Sequence, residues 1–249
     1  MLENGDNLDV IYLDFEKAFD KVDFGLLLAK LKALGITGKL GTWLGSFMIG
    51  RKQAVKIEDQ VSEWVEVISG IPQGSVIGPL FFLIMIGDLG KDVQEEEAKV
   101  LKYVDDSKAM KGVKNEEDVS ELQSVIGKLT NWQINNNMKF NSTKFQLLRF
   151  GNNLPLKRTT NLYIDSSSSP LIPSEEVRDL GVLIDDKADF KAQRLSAVSK
   201  AQKKAAWVLR TFSSRRPEIL STLWKSIVQP NLDYCSQAVV TSGPARSTE

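Results

Sequence analysis

Two short apolar runs in this chain each end in aspartate, and this pattern limits the possible fold more than any other feature. The first run, IYLDF at residues 11–15, carries Asp14, and the second, LKYVDDS at residues 101–107, carries Asp105 and Asp106. Short apolar runs are typical of buried strands. A carboxylate beside a buried strand is destabilising unless a cation or a basic group neutralises it. We therefore expect the turn at residues 103–107 to face the end of the first strand.

Three carboxylates at one place would suit a divalent cation. Mg²⁺ prefers oxygen ligands and keeps waters or phosphates in its shell, and two such ions form the clamp used for in-line phosphoryl transfer. The alternative is that Asp105 and Asp106 simply form a hairpin turn, where aspartate is favoured. The acidic pair alone leaves both interpretations open.

Composition excludes several classes of protein. The chain has 249 residues and no histidine, which removes a Ser-His-Asp triad and the commonest zinc ligand. Its single cysteine, Cys235, excludes an internal disulfide, indicates a reducing compartment and is predicted to be a small buried residue. No signal peptide and no apolar run of about 20 residues is visible. We expect an intracellular protein, nuclear or cytoplasmic and not secreted, with no membrane partner.

Charge is balanced overall, with 32 basic and 32 acidic residues, but it is unevenly distributed. Residues 187–216 contain nine lysines and arginines against Asp189 alone. Within this segment, Lys200, Lys203 and Lys204 have helical spacing and share a face with Trp207. Such a face can neutralise phosphates, which predicts nucleic-acid binding. The alternative is an ordinary solvated helix face.

The periodicities predict an α+β fold. A strand at residues 9–15 precedes helices around residues 22–34 and 40–48, a hairpin follows between residues 53 and 68, and Pro79 opens a further helix. A second hairpin is predicted at residues 98–110, then a helix capped by Asn115. The chain is predicted to be helical from Ala188 onward. Asp20 and Asp23 are interpreted as surface or capping carboxylates.

Five motifs occur in a fixed order along the chain. They are Asp14 to Phe19, PQG at residues 72–74, YVDD at residues 103–106, NSTK at residues 141–144, and LGV at residues 180–182. This order resembles the palm domain of reverse transcriptases. The flanking text, LDFEKAFDKVD at residues 13–23 and LWKSIVQPNLDYCSQ at residues 223–237, resembles the non-LTR retrotransposon branch (LINE, jockey-like). The resemblance covers residues 9–237.

The resemblance implies a right-hand polymerase palm, an antiparallel sheet backed by helices, followed by a helical thumb-like region. We expect the palm at residues 1–186, the thumb-like region at 187–240 and a disordered tail at 241–249. The implied activity is RNA-directed DNA polymerisation by two-metal nucleotidyl transfer onto a primer 3′-hydroxyl. Its partners would be an RNA template, a DNA primer and deoxynucleoside triphosphates, with two Mg²⁺ ions as cofactor and Mn²⁺ as a substitute. The oligomeric state stays open.

The same resemblance implies individual roles. Asp14 and Asp105 would hold both metals, with Asp106 assisting, and Lys144 would protonate the leaving pyrophosphate. The substrate-binding residues would be Phe15, Phe19 as a steric gate against ribose, Gln73 and Gly74. Leu180 and Gly181 would belong to the primer grip. Phe19 is otherwise a core aromatic residue, and Lys144 is otherwise a surface lysine.

Departures from the family pattern leave alternatives open. Asp179, Phe24 and Gly87 stand where the family usually has an aromatic residue, histidine and asparagine. The fingers, which supply the basic clamp on the triphosphate, and an endonuclease domain are expected to be absent. A catalytically incompetent fragment that folds and at most binds nucleic acid is therefore the second hypothesis. A different palm enzyme, such as a nucleotide cyclase, is disfavoured because it needs neither a template nor a primer grip.

Overall fold

The computed structural model describes residues 7–151 and 163–237, and their contacts divide them into two units. The first unit holds residues up to Leu147 together with 163–172, and the second holds 148–151 together with the residues from Pro173 onward. The tail predicted at 241–249 lies outside the described residues. The division into a palm at 1–186 and a thumb-like region at 187–240 stays a prediction.

The elements follow one another in chain order. The strands are β1 (Asn7–Leu13), β2 (Lys52–Gln53), β3 (Lys56–Ile57), β4 (Gln60–Val61), β5 (Val65–Glu66), β6 (Lys99–Tyr103), β7 (Asp106–Val113), β8 (Gln146–Phe150), β9 (Pro173–Ser174), β10 (Glu176–Asp179) and β11 (Val182–Asp185). The helices are α1 (Phe24–Ala33), α2 (Gly38–Met48), α3 (Gly78–Ile86), α4 (Glu116–Asn135), α5 (Lys191–Thr211), α6 (Pro217–Leu223) and α7 (Pro230–Asp233).

The sheet of the first unit is built on β1. Strand β7 pairs with β1 in antiparallel register from Asn7 opposite Val113 to Leu13 opposite Ser107, and β6 pairs with the other edge of β7. Side chains of a strand alternate between faces, yet Val10 and Ile11, on opposite faces, are both buried. The strand is therefore covered on both sides, as its apolar sequence predicts.

Local sequence signals position the helices of the first unit. Asp23 accepts a hydrogen bond from the Leu26 amide and begins α1, and Gly35, with φ +83°, follows its end. Pro79 lies in the first turn of α3. Asn115 and Asp118 form a reciprocal capping box at the start of α4, which satisfies two free amide groups. These starts and stops confirm the sequence predictions.

These helices bury one continuous core against the sheet. Helix α4 packs on β7, and α1 packs on both α2 and α3. The largest fully buried side chains of the described residues include Phe81, Phe82, Leu27, Leu122 and Leu129. The predicted hairpin after α2 is also present, with β2 paired to β5 and β3 paired to β4. Its four strands are exposed, so it stands outside the core.

The second unit combines a hairpin with helices. Strands β10 and β11 pair through the two-residue loop Leu180–Gly181, and the side chain of Gln193 in α5 accepts a hydrogen bond from the Leu183 amide at 3.0 Å.

Helix α5 starts at Lys191, three residues later than predicted. The reason is that Ala188 and Phe190 have φ +53° and +54°, which is a left-handed conformation that a right-handed helix cannot contain.

The interpretation of Cys235 as a small buried residue is wrong. Its side chain is exposed, and its φ is +55°. The residue follows the end of α7 at a turn of the chain. Otherwise the described elements mix helices and an antiparallel sheet, as the α+β prediction requires. Among the described helices, none is both long and apolar enough to cross a membrane.

Candidate functional site

The antiparallel register brings the two acidic motifs together. Leu13 lies opposite Ser107 on β7, so the next position in that register places Asp14 opposite Asp106. Strands β6 and β7 are joined by a two-residue loop, Val104 and Asp105, because Tyr103 pairs directly with Asp106. The loop that carries Asp105 therefore lies at the end of β1, as the sequence predicts.

The tightness of this loop requires an unusual backbone. Val104 occupies the first loop position with φ +54°, a left-handed conformation that is rare for a β-branched residue. Glycine is the usual residue at such positions. Strained residues of this kind are concentrated at active sites, where the surrounding structure enforces them. The conformation at Val104 is consistent with a loop whose geometry serves the carboxylates beside it.

A lysine supplies the positive charge among these carboxylates. Nζ of Lys144 lies 2.6 Å from Oδ2 of Asp14, and the Lys144 side chain is 63% exposed. The pKa of Lys144 is raised, first by the hydrogen bond and the charge of Asp14 and then by the charges of Asp105 and Asp106. Three carboxylates from two strand ends therefore act on one ammonium group. The short 3₁₀ turn Ser142–Lys144 places that lysine beside Asp14.

The donor set fits a divalent cation in its chemistry. Oδ2 of Asp14 is buried and, apart from the ion pair with Lys144, accepts no hydrogen bond from the described residues. Carboxylate oxygens are the ligands that Mg²⁺ prefers. Within residues 7–151 and 163–237, however, no group of three or more acidic or cysteine side chains is arranged to hold a metal ion. The three carboxylates lie at neighbouring strand ends, but they are not arranged as a preformed metal site.

The two phenylalanines of the first motif differ in position. Phe15 is buried, stacked on Phe140 with ring centroids 4.6 Å apart and tilted against Trp132 at 6.1 Å. Its ring belongs to the core, so a role in substrate binding could involve only its backbone. Phe19 is partly buried and stacks on Phe82 of α3 at 4.6 Å. It packs on the core with one face, and its predicted role as a steric gate stays untested.

The loop that contains Gln73 and Gly74 is seated on the turn that follows Asp14. The Gly70 amide donates to the Val22 carbonyl and the Ile71 amide donates to the Phe19 carbonyl, each at 2.8 Å. Gln73 and Gly74 are both exposed, and Gly74 has φ +80°. The structure thus places the predicted nucleotide-binding loop directly against the first acidic motif.

One contact of this loop involves a residue for which the sequence predicts only a surface or capping role. Asp20 was interpreted as a surface or capping carboxylate, but its Oδ1 accepts a hydrogen bond from Nε2 of Gln73 at 3.0 Å. Asp23, which was interpreted in the same way, does cap α1. The only sequence signal for Asp20 was its acidic side chain near Asp14, since its partner lies 53 residues away.

The remaining predicted residues lie in the second unit. Leu180 and Gly181 both have positive φ, +47° and +85°, as a two-residue hairpin loop of type I′ requires. The hydroxyl of Tyr234 donates to the Leu180 carbonyl at 2.6 Å, a contact that the sequence did not predict. It ties the predicted primer-grip loop to the end of α7.

The predicted nucleic-acid face of α5 is exposed. Lys200, Lys203 and Lys204 are all exposed, and Nζ of Lys204 lies 5.9 Å from the ring centroid of Trp207. The stripe of the helix next to this face buries Ala201 and Val208. The helix therefore has one face committed to packing and another that presents three lysines and an indole to solvent.

Similarity to known proteins identifies the class to which this fold and this site belong. Residues 3–184 match the family described as reverse transcriptase (RNA-dependent DNA polymerase). The chain belongs to this family, which confirms the resemblance found in its motifs.

Relatives of this chain come from mobile elements. The chain is 28% identical over 233 residues to the probable RNA-directed DNA polymerase from transposon X-element of Drosophila melanogaster, covering 91% of this chain and 25% of that protein. It is 27% identical over 245 residues to the RNA-directed DNA polymerase from mobile element jockey of Drosophila funebris, covering 95% and 26%. The chain therefore spans about a quarter of the length of these curated relatives.

Solved structures confirm the fold. The structure of telomerase from Candida tropicalis, in complex with a fragment of telomeric RNA, superposes with a TM-score of 0.54 at 14% identity, covering 98% of this chain and 41% of that one. A telomerase from Candida albicans gives 0.52 at 11% identity, covering 94% and 40%. At these identities the likeness shows the fold alone, and it is the α+β polymerase palm predicted from the sequence.

The seating of the Gln73 loop generates a stability prediction. Gly70 has φ +91°, and a Cβ there would lie 2.8 Å from the Asp20 carbonyl oxygen. Gly70→Ala should lower the free energy of unfolding by about 1–3 kcal/mol, the usual range for a strained backbone position. Gly127→Ala is the matched control, because its Cβ would meet nothing within 4 Å on α4 and should stabilise the helix by about 0.5–1 kcal/mol. Urea denaturation measures both, and equal values would contradict the close approach.

Proposed function

We propose that this chain is the RNA-directed DNA polymerase module of a retroelement and that it extends a DNA primer along an RNA template by two-metal nucleotidyl transfer. The proposal rests on one observation above all: Asp14 and the loop carrying Asp105 and Asp106 meet at the end of β1, where all three carboxylates raise the pKa of Lys144. Negative charge gathered at an exposed sheet end is what a phosphate-handling metal site requires.

Asp14 and Asp105 would hold the cations, with Asp106 assisting. When bound, two Mg²⁺ ions, or Mn²⁺ in their place, would lower the pKa of the attacking hydroxyl and stabilise the leaving group. The ammonium of Lys144 now lies against Oδ2 of Asp14, so binding of a cation there requires this lysine to give up its contact. By the family resemblance, Lys144 then protonates the departing pyrophosphate.

The neighbouring residues of the first unit would bind the nucleotide. Gln73 carries both donors and an acceptor, and its loop is fixed by hydrogen bonds to the turn that follows Asp14. Gly74 keeps the loop free of a side chain at a left-handed position. The ring of Phe19 would lie under the sugar, with its other face against Phe82. The backbone at Phe15 would complete the binding surface.

The second unit would hold the nucleic acid. The loop at Leu180 and Gly181 has the geometry of a tight hairpin turn tied down by Tyr234, which suits a primer grip. The lysines of α5 would contact the duplex backbone. The alternative function, a catalytically incompetent fragment that at most binds nucleic acid, would keep this second activity and lack the first.

Primer extension separates these two functions. With an RNA template, a DNA primer, deoxynucleoside triphosphates and Mg²⁺, the chain should extend the primer. Asp14→Asn and Asp105→Asn should each slow extension on the order of a hundredfold or more, because each removes preorganised charge from the transition state. Asp92→Asn, at an exposed site away from these strand ends, should not change the rate. Binding without any extension would establish the alternative, and extension that tolerates Asp105→Asn would contradict the metal site.

Sugar selection tests the role of Phe19. Phe19→Val should raise the use of ribonucleotides relative to deoxynucleotides, because the ring that would clash with a 2′-hydroxyl is gone. The ratio of kcat/KM for the two sugars is the measurement. Phe82→Val is the control, since it removes the stacking partner from the buried side and should destabilise the fold without opening the sugar site. An unchanged ratio in Phe19→Val would show that the residue is only part of the core.

Salt dependence tests the lysine face of α5. Reversing Lys200, Lys203 and Lys204 to Glu should weaken binding to an RNA–DNA duplex and make the slope of log affinity against log salt shallower by about 2–3, since three phosphate contacts are lost. The matched control reverses Lys32, Lys39 and Lys91, which are exposed on the first unit. Lys30 is unsuitable there because it pairs with Asp88 at 2.6 Å. Equal losses in the two triple variants would show that the α5 face is merely solvated.

A further inference from the structure

Asp20 makes two different contacts with the loop that contains Gln73. Its carboxylate accepts from Nε2 of Gln73 at 3.0 Å, and its backbone carbonyl accepts from the hydroxyl of Ser69 at 2.9 Å. An ionised carboxylate is only an acceptor, so it selects the nitrogen end of the Gln73 amide. The second N–H and the carbonyl oxygen of that amide are left for a ligand.

The loop backbone is held independently of that carboxylate. The amides of Gly70 and Ile71 donate to the carbonyls of Val22 and Phe19. From the other side, Nη2 of Arg51 donates to the Gly70 carbonyl at 2.6 Å. Removing the Asp20 carboxylate would therefore leave the loop in place and free only the side chain of Gln73.

A cleft of ligand size lies beside this contact. Asp20 and Gln73 line a cleft of about 760 Å³ together with Lys17, Lys21 and Lys52. Small-molecule sites usually have volumes of about 300–1,000 Å³. The basic residues that line this cleft, which include Arg51 as well as the three lysines, outnumber the acidic Asp20 and Glu66, so the cleft is complementary to phosphate groups. A Gln73 amide with a fixed orientation at such a cleft can distinguish the donors and acceptors of a nucleotide.

We propose that Asp20 is a positioning residue, which holds the Gln73 amide in the orientation that receives the incoming deoxynucleoside triphosphate. The inference rests on the proposed function, in which Gln73 contacts that nucleotide. A charge-assisted hydrogen bond is stronger than a neutral one, and glutamine is a long, flexible side chain that loses rotamer freedom when a ligand immobilises it. By ordering the Gln73 side chain before the nucleotide binds, Asp20 reduces the side-chain entropy that is lost on binding.

The size of the effect follows from that immobilisation. Asp20→Ala should weaken nucleotide binding by about three- to tenfold, the range expected when one long side chain must be ordered on binding. Asp20→Asn should stay within about twofold of the wild type, because the amide oxygen of asparagine still accepts a hydrogen bond. Asp20→Ala should lower nucleotide affinity without lowering the melting temperature by more than Glu16→Ala, a matched loss of one carboxylate from the same turn.

The test is a double-mutant cycle on the full chain. The chain is bound to an RNA template and a DNA primer ended by a dideoxynucleotide, and the affinity for the complementary deoxynucleoside triphosphate is measured by titration. If Asp20 acts through Gln73, then Asp20→Ala has no further effect in a Gln73→Ala background. Additive losses, or an Asp20→Ala affinity equal to that of the wild type, would overturn the positioning role. An Asn variant as weak as the Ala variant would also overturn it.

A second measurement separates this inference from the proposed function. The two side-chain amide protons of Gln73, assigned by their loss in Gln73→Ala, should give NMR signals displaced from those of a mobile glutamine in the ligand-free chain, and this displacement should collapse in Asp20→Ala. Signals that do not change would overturn the inference even in an active polymerase. Conversely, a chain that shows this collapse yet neither binds nucleotide nor extends a primer would contradict the proposed function while leaving the Asp20–Gln73 contact established.

Discussion

The antiparallel pairing of β1 with β7 is the constraint on which the rest of the first unit depends. It sets Leu13 opposite Ser107 and so carries Asp14 to the loop at Asp105. Like charges brought together in this way repel one another, and the ammonium of Lys144 offsets part of that repulsion. The sheet therefore determines where the negative charge gathers, and a short turn after α4 supplies a positive charge that partly offsets it.

Much of this architecture was readable from local sequence because the signals are themselves local. Asn115 followed by acidic residues predicts the start of α4, and Gly35 predicts the end of α1, since each depends on backbone groups within one turn. The two apolar runs that end in aspartate likewise predicted that the turn at Asp105 faces the end of β1. The fold class and the family were both within reach of such reasoning, and both were confirmed.

The unpredicted features are contacts between distant segments. The hydrogen bond from Gln73 to Asp20 joins residues 53 apart, and that from Tyr234 to Leu180 joins residues 54 apart. Neither partner shows a periodicity or a spacing that reports the other. The prediction that Cys235 is buried fails for a related reason. The burial of a side chain depends on which residues pack over it, and those residues can be distant in the sequence.

The two-residue loop at Val104 and Asp105 also restricts how this domain can change over time. Because side chains alternate along a strand, a change of loop length that slipped β7 by one position against β6 would turn every side chain of β7 to the opposite face. Ser107 and Ala109, which are buried, would then become exposed to solvent, and Asp106 would leave its position at the end of β1. Such a slip would remove the core and the chemistry together. Point substitutions in the loop leave the register unchanged.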